Sequence, residues 1–298
     1  MFDSVPGITV NTGEAEIFLK RFGSGPPLLF LHGFPETHLM WRAVAPLLSD
    51  QHEVFCPDLR GYGKSSCPDS APDHAPYSKR AMARDMVALM RRFGHEHFAV
   101  IGHDRGARVA HRMALDFPAC VRRLAVLDIL PTEVVWDRAD AKLALAFWPW
   151  SLLSQPAPLP ERLISAAPDA IIDNALSGWG TRRDTFSIDV RDAYIDALSD
   201  PARIHAICEE YRAAATIDRE HDVADISVNK KVTCPLLAVW SKNAGIEKWY
   251  QDDGGPLEIW RGFACDVEGH ALDGGHFFPE EIPEQTADIL RKFLRKTT

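Results

Sequence analysis

Phe98-Ala99-Val100-Ile101-Gly102-His103-Asp104-Arg105-Gly106-Ala107-Arg108-Val109 is the stretch on which the fold turns. Its first five residues form a short apolar run closed by glycine, as in a strand buried on both faces of a parallel sheet. Residues 105–116 carry a helical pattern that stops before Pro118. A strand that passes into a helix through Gly-x-x-x-Gly with no loop between is a sharp, crowded turn.

Outward from this turn the same alternation recurs. Pro27-Leu28-Leu29-Phe30-Leu31, Val54-Phe55-Cys56-Pro57 and Leu124-Ala125-Val126-Leu127-Asp128 read as further buried strands. Residues 7–22 read as two short strands about a Thr12-Gly13-Glu14 turn. Residues 78–93 place Met82, Met86, Leu89 and Phe93 on one helical face, with Ser78 as the cap and Gly94 at the end. Strands alternating with helices predict right-handed crossovers and a mostly parallel sheet of α/β class. The alternation breaks after Asp128. Residues 131–231 hold no clear strand, and they carry Trp136, Phe147, Trp148, Trp150, Trp179 and the proline-rich Pro156-Ala157-Pro158-Leu159-Pro160. The sheet pattern resumes at Cys234–Trp240 and near Ala264–Val267, and an amphipathic helix runs from about Pro283 to Lys296. The expected organisation is a core in two parts, 1–130 and 232–298, with a helical cap over 131–231.

Composition narrows the function. The net charge is −9 and no basic stripe is present, so nucleic acid is not an expected partner. No apolar run reaches about 18 residues, the length expected of a membrane span. The first ten residues lack a signal-peptide pattern. Six cysteines include no C-x-x-C pair, so neither a zinc site nor a redox dithiol is expected. The expectation is a cytoplasmic protein that needs no metal or cofactor.

Gly102-His103-Asp104-Arg105-Gly106 has the frame of a G-x-S-x-G nucleophile elbow with aspartate in the serine's place. A carboxylate attacking an ester carbonyl gives an anhydride. A carboxylate attacking an sp³ carbon expels a leaving group and leaves an alkyl ester, which activated water can hydrolyse. Asp104 at an elbow therefore points to halide displacement or epoxide opening; the plainer alternative is an aspartate capping the next helix. His276 in Gly274-Gly275-His276-Phe277 is the candidate base, with His270 as competitor. The loop after Trp240 has no acid before Glu247, so Asp128 is the candidate partner for the imidazole. Phe34, in His32-Gly33-Phe34-Pro35, and Arg105 are candidates for the two oxyanion N–H groups. Arg105 and Arg108 stand three apart on one helix face and suit a bidentate clamp for a small anionic substrate; pairing with local acids such as Asp128 is the competing reading.

These residues together resemble the fluoroacetate dehalogenases, a branch of the haloacetate dehalogenases within the α/β-hydrolase fold. The matching strings are Gly102–Val109, Leu124–Thr132, Ser151–Pro160, Glu210-Tyr211-Arg212-Ala213 and Gly275–Glu281, and the likeness spans nearly the whole chain. The resemblance implies an eight-stranded sheet, Asp104 as nucleophile, His276 as base, Asp128 as its partner, Arg105 and Arg108 as the carboxylate clamp, and a homodimer. It also implies cap-domain donors to the departing halide: a His-Trp pair and a Tyr. Trp150 fills the Trp position, whereas Pro149 stands at the His position and Thr216 at the Tyr position. Loss of one such donor costs roughly 3 kcal/mol of barrier, so chloride and bromide are the expected leaving groups and fluoride the demanding one. Trp148 or Trp179 is the candidate substitute donor, with Trp179 expected on the pocket wall. Two alternatives stand beside a dehalogenase. An epoxide hydrolase shares the nucleophile and would use cap tyrosines, for which Tyr194 and Tyr211 are available. A non-catalytic carboxylate-binding homologue would keep the pocket without the chemistry. A serine esterase is least favoured, since no second elbow frame carries serine.

Overall fold

The computed structural model describes residues 2–182 and 184–296. One sheet contains β1 (Gly7–Asn11), β2 (Glu16–Gly23), β3 (Pro27–Leu31), β4 (Glu53–Pro57), β5 (Phe98–His103), β6 (Val121–Leu127), β7 (Leu236–Ser241) and β8 (Val267–Leu272), in the order β1-β2-β4-β3-β5-β6-β7-β8. β1 pairs antiparallel with β2, and β2 antiparallel with β4; every later pairing is parallel. Alternate side chains of the apolar strands face opposite layers. Leu28 and Phe30 of β3 pack with Trp41, Leu290 and Phe293 on one side. Leu29 and Leu31 pack on the other with Met82, Met86 and Leu89 of α1 (Lys79–Arg92). Ser78 caps α1 by accepting from the Ala81 N–H, as its sequence position suggested.

The chain moves outward from β3 to β4, then crosses back to β5 on the other side of β3. The carboxyl ends of β3 and β5 therefore flank a point where the winding reverses, the usual place for a crevice in such a sheet. α2 (Asp104–Asp116) starts directly from β5.

Eight helices separate β6 from β7 among the described residues. They are α3 (Thr132–Asp137), α4 (Ala141–Ala146), α5 (Trp148–Leu153), α6 (Leu159–Ala166), α7 (Pro168–Ser177), α8 (Ile188–Ala197), α9 (Pro201–Ala215) and α10 (Ile217–Ser227). α10 is tied to α2 by charge: the Arg112 guanidinium pairs with Asp222 at 2.7 Å and Asp225 at 2.5 Å. Among the described residues no helix is long and apolar enough to cross a membrane.

The last strand differs from its expected place. Ala264 forms only an isolated bridge with Val232, and β8 begins at Val267. Its Val-Glu-Gly-His-Ala-Leu sequence lies at a half-exposed sheet edge, where no continuous apolar run is needed. His270 is consequently an exposed strand residue.

Candidate active site

Four chain segments leave the carboxyl ends of parallel strands and converge. β3 leads to Phe34, β5 to Asp104, β6 to Asp128 and β8 to His276. The turn at Asp104 is tight enough to dictate its neighbours. A Cβ on Gly102 would lie 2.5 Å from the Ala107 Cα, and one on Gly106 would lie 2.3 Å from the His32 carbonyl oxygen. Asp104 itself sits at φ +43°, in the left-handed region that costs a non-glycine residue roughly 1–3 kcal/mol. Asp128 is also left-handed, at φ +54°. Such strain persists only where the surroundings fix it, and it aims both carboxylates out of the sheet edge.

The Asp104 Oδ2 accepts the Phe34 N–H at 3.0 Å. Burial pushes the Asp104 carboxyl up, but His276, Arg105, His103 and Arg108 outweigh it and hold the group below the usual carboxylate range. Asp104 is thus an anion across the neutral pH range. His276 Nδ1 lies 2.5 Å from Asp128 Oδ2, while Asp128 Oδ1 accepts the Ser241 N–H at 2.8 Å. With Nδ1 donating to the carboxylate, Nε2 is the nitrogen left to take a proton. His270 takes no part.

Asp104, Asp128 and His276 share one narrow cavity of about 30 Å³ with Arg108 and Trp150. Leu130, Val135, Leu143, Phe147, Ile246, Trp249 and Tyr250 complete its walls. A cavity of this size suits a ligand of few heavy atoms. Arg108 and Arg105 are placed differently. Arg108 lines the cavity; its Nη1 donates to Leu130 O at 2.9 Å and Thr132 Oγ1 at 3.1 Å, and its Nε is buried with no hydrogen-bond partner among the described residues. Burial and the nearby Arg105 push its pKa down to about 10. Arg105 is fully buried behind this wall, and its Nη2 pairs with Glu210 at 2.6 Å. Its Nη1 has no partner among the described residues. Its guanidinium also lies over the Tyr211 ring, 4.0 Å from the centroid. Pairing with an acid is therefore half right for the two arginines: the acid is Glu210 of α9, not Asp128. Glu210 also receives Lys79 and, at 3.3 Å, the Tyr62 hydroxyl. A guanidinium at a buried helix start needs such a counter-charge.

Three pocket expectations need correction. Thr216 faces an outer groove with His74, Ser154, Pro156 and Glu209, and its hydroxyl donates to the Arg212 carbonyl. Tyr211, on the same helix, packs edge-on to Phe34 at 5.7 Å and is buried within the electrostatic reach of Asp104, while Tyr250 lines the cavity itself. Five residues separate Tyr211 from Thr216, or about 140° around a helix, so Tyr211 turned inward leaves Thr216 turned out. Pro149 is buried in the first turn of α5, a position where the missing N–H costs nothing, but it does not line the cavity. Trp179 does not line it either. Its ring stands edge-on to His276 at 5.3 Å and stacks on Phe147, and its Nε1 donates to the Ala146 carbonyl at 2.5 Å. Trp148 Nε1 donates to Asn174. Neither tryptophan replaces a lost halide donor. Tyr194 is buried against Glu280, to which its hydroxyl donates at 3.2 Å, outside the cavity.

Sequence reasoning missed Glu210 as the Arg105 partner, Tyr250 and Trp249 as wall residues, and Glu36. The available signal for Glu210 was an acid beside Tyr211 within an Ala-rich helix. Glu36 follows Phe34 by two residues and is buried, which no periodicity announces.

Comparison with known proteins agrees with this geometry. Residues 26–165 match the α/β hydrolase fold family. The chain is 46% identical over 295 residues to a fluoroacetate dehalogenase from a Burkholderia species, covering 99% of this chain and 95% of that one. It is 31% identical to a soluble epoxide hydrolase from Corynebacterium sp. (strain C12), covering 91% of each. The structure of ALR0039 from Nostoc sp PCC 7120, described as an alpha/beta hydrolase, superposes with a TM-score of 0.95 at 47% identity over the whole of both chains. The strained aspartate elbow, the Asp128–His276 pair and these likenesses together establish that the chain belongs to the fluoroacetate dehalogenase branch of the α/β-hydrolase superfamily.

Proposed function

We propose that this protein hydrolyses the carbon–halogen bond of a small 2-haloacid, haloacetate above all, to give the 2-hydroxy acid. The observation that carries the substrate class is the buried Arg108 Nε on the cavity wall, without a partner among the described residues and four residues after an ionised Asp104. A buried guanidinium N–H left unpaired calls for an anion, and a carboxylate fits the fork. The second such nitrogen, Arg105 Nη1, adds positive field behind it.

Asp104 Oδ1 attacks the halogen-bearing carbon in line with the leaving group, and halide departs. Oδ2, held by the Phe34 N–H, becomes the carbonyl oxygen of the new ester. His276 Nε2 then takes a proton from water, whose oxygen attacks the Asp104 carbonyl carbon. The Phe34 and Arg105 N–H groups meet the oxyanion. Collapse releases the hydroxy acid and restores Asp104, and the proton leaves through His276 to solvent. Trp150, on the cavity wall, and Tyr211, which stands behind that wall against Phe34, are the proposed donors for the departing halide, with Pro149 contributing none. Bromide and chloride leave readily; fluoride, which depends most on donors, leaves more slowly.

The helices of 131–231 act as the cap, since they supply Val135, Leu143, Phe147 and Trp150 to the cavity. The six cysteines are unpaired, which suits a reducing cytoplasm. A homodimer is proposed from the family likeness. Epoxide opening is disfavoured because the buried, unpartnered Arg108 Nε on the cavity wall would have no task in it, and Tyr194 is committed to Glu280.

Halide release from bromo-, chloro- and fluoroacetate, compared with Asp104→Asn and an epoxide panel, tests the function. Release in the order bromide, chloride, fluoride, abolished by Asp104→Asn, is expected. Epoxide turnover without halide release would replace the proposal by the rival.

A further inference from the structure

His103 precedes the nucleophile and is fully buried. Both of its ring nitrogens face acceptors: Nδ1 lies 3.1 Å from Glu36 Oε2, and Nε2 lies 2.9 Å from the His276 carbonyl oxygen. A carbonyl accepts only, and so does an ionised carboxylate. Both nitrogens can be satisfied as donors only by the imidazolium. Glu36 is 1% exposed, and its Oε2 faces the His103 ring as the acid of a fully buried pair. The His103 and His276 rings lie 4.6 Å apart, and Phe277 and Phe278 close the remaining side. The ionisable groups facing His103 are thus Glu36, Asp104 and His276.

These contacts join three segments. Glu36 belongs to the loop that carries the Phe34 N–H, and its own N–H donates to the Gly33 carbonyl at 3.0 Å. His103 is the last residue of β5, immediately before Asp104. The His276 carbonyl belongs to the loop of the base. We propose that the buried His103–Glu36 ion pair is a positioning device that fixes the oxyanion N–H, the nucleophile and the base relative to one another. It also sets a positive charge directly behind the Asp104 carboxylate. Neither His103 nor Glu36 touches substrate; both act through Phe34, Asp104 and His276. Burial alone would lower the His103 pKa, but Glu36, Asp104 and the His276 carbonyl push it up to about 9.

Glu36→Gln separates charge from contact. Neutral His103 can still donate from Nε2 to the His276 carbonyl while Nδ1 accepts from the introduced side-chain amide, so every hydrogen bond survives and both charges are lost. In the wild-type protein, ring-nitrogen NMR after ¹⁵N-histidine labelling should show one buried histidine doubly protonated at neutral pH and losing its proton only near pH 9. That signal should become a neutral tautomer in Glu36→Gln. The kinetic arm rests on the dehalogenation proposed above. With chloroacetate, kcat should fall about tenfold with KM within about twofold, and the acid limb of kcat/KM should move up by about one pH unit as Asp104 loses a neighbouring cation. Glu36→Asp, which keeps the charge, should recover part of the rate. A wild-type His103 found neutral at pH 7 would overturn the proposal whether or not the enzyme releases halide. So would a Glu36→Gln enzyme with an unchanged rate and pH profile.

Discussion

Arg108→Met separates recognition of the substrate carboxylate from stability of the fold. The methionine fills the space of the arginine stem as far as Nε and carries no charge. It removes the Nη1 bonds to Leu130 O and Thr132 Oγ1 and the buried Nε–H that has no partner among the described residues. A hydrogen bond to a charged group is worth about 1.5–3 kcal/mol. Loss of one such bond to a haloacetate carboxylate raises KM about 10- to 150-fold. Stability changes much less. The wild-type guanidinium is buried beside Arg105, and its depressed pKa of about 10 records what that burial costs. Removing it offsets much of the roughly 3 kcal/mol or more lost with the Leu130 and Thr132 contacts. Initial-rate kinetics with chloroacetate and with neutral chloroacetamide, beside thermal unfolding, read both effects. The variant should lose its preference for the acid over the amide while keeping its melting temperature. An unchanged KM for chloroacetate would refute the assignment of Arg108 as the carboxylate ligand.

Tyr211→Phe should slow fluoroacetate turnover about 100-fold or more and bromoacetate much less, because loss of a transition-state donor matters most for the poorest leaving group; Thr216→Tyr, which points outward, should leave both rates unchanged within about twofold. His276→Gln should still release about one halide per site and then stop, with the Asp104 peptide heavier by an ester-linked carboxymethyl group in mass spectra after haloacetate. Stability should depend on pH through His103. Its folded pKa, near 9, lies above the ordinary 6.5, so the contribution is complete below about pH 6.5 and disappears as pH rises through 9. The difference amounts to about 3 kcal/mol, or a melting shift on the order of 5 °C. Differential scanning calorimetry at pH 7 and 9.5 should show this shift in the wild type and a smaller one in Glu36→Gln.

Much of the fold was legible because buried parallel strands leave continuous apolar runs. β3, β4, β5 and β7 were placed within one or two residues for that reason, whereas β8 slipped because Glu268, Gly269 and His270 lie on a half-exposed edge. Asp104, Asp128 and His276 were readable since each follows a strand end, and strand ends converge in this topology. What sequence did not supply was direction around a helix once local register was in doubt. Tyr211 and Thr216 both lie at the end of α9, and only the path of that helix decides which side chain turns toward Asp104. Long-range charge pairing was equally hidden. Arg105 meets Glu210 across 105 residues and His103 meets Glu36 across 67, and no spacing rule connects them.

In the proposed mechanism Asp104 becomes an ester and water then attacks its carbonyl carbon. One turnover of excess enzyme with bromoacetate in ¹⁸O-enriched water tests it most directly. Heavy oxygen is expected in the Asp104 carboxylate, found by mass spectrometry of the peptide that contains it, with none in the first-formed glycolate. Heavy oxygen in that first glycolate, with an unlabelled Asp104, would contradict it.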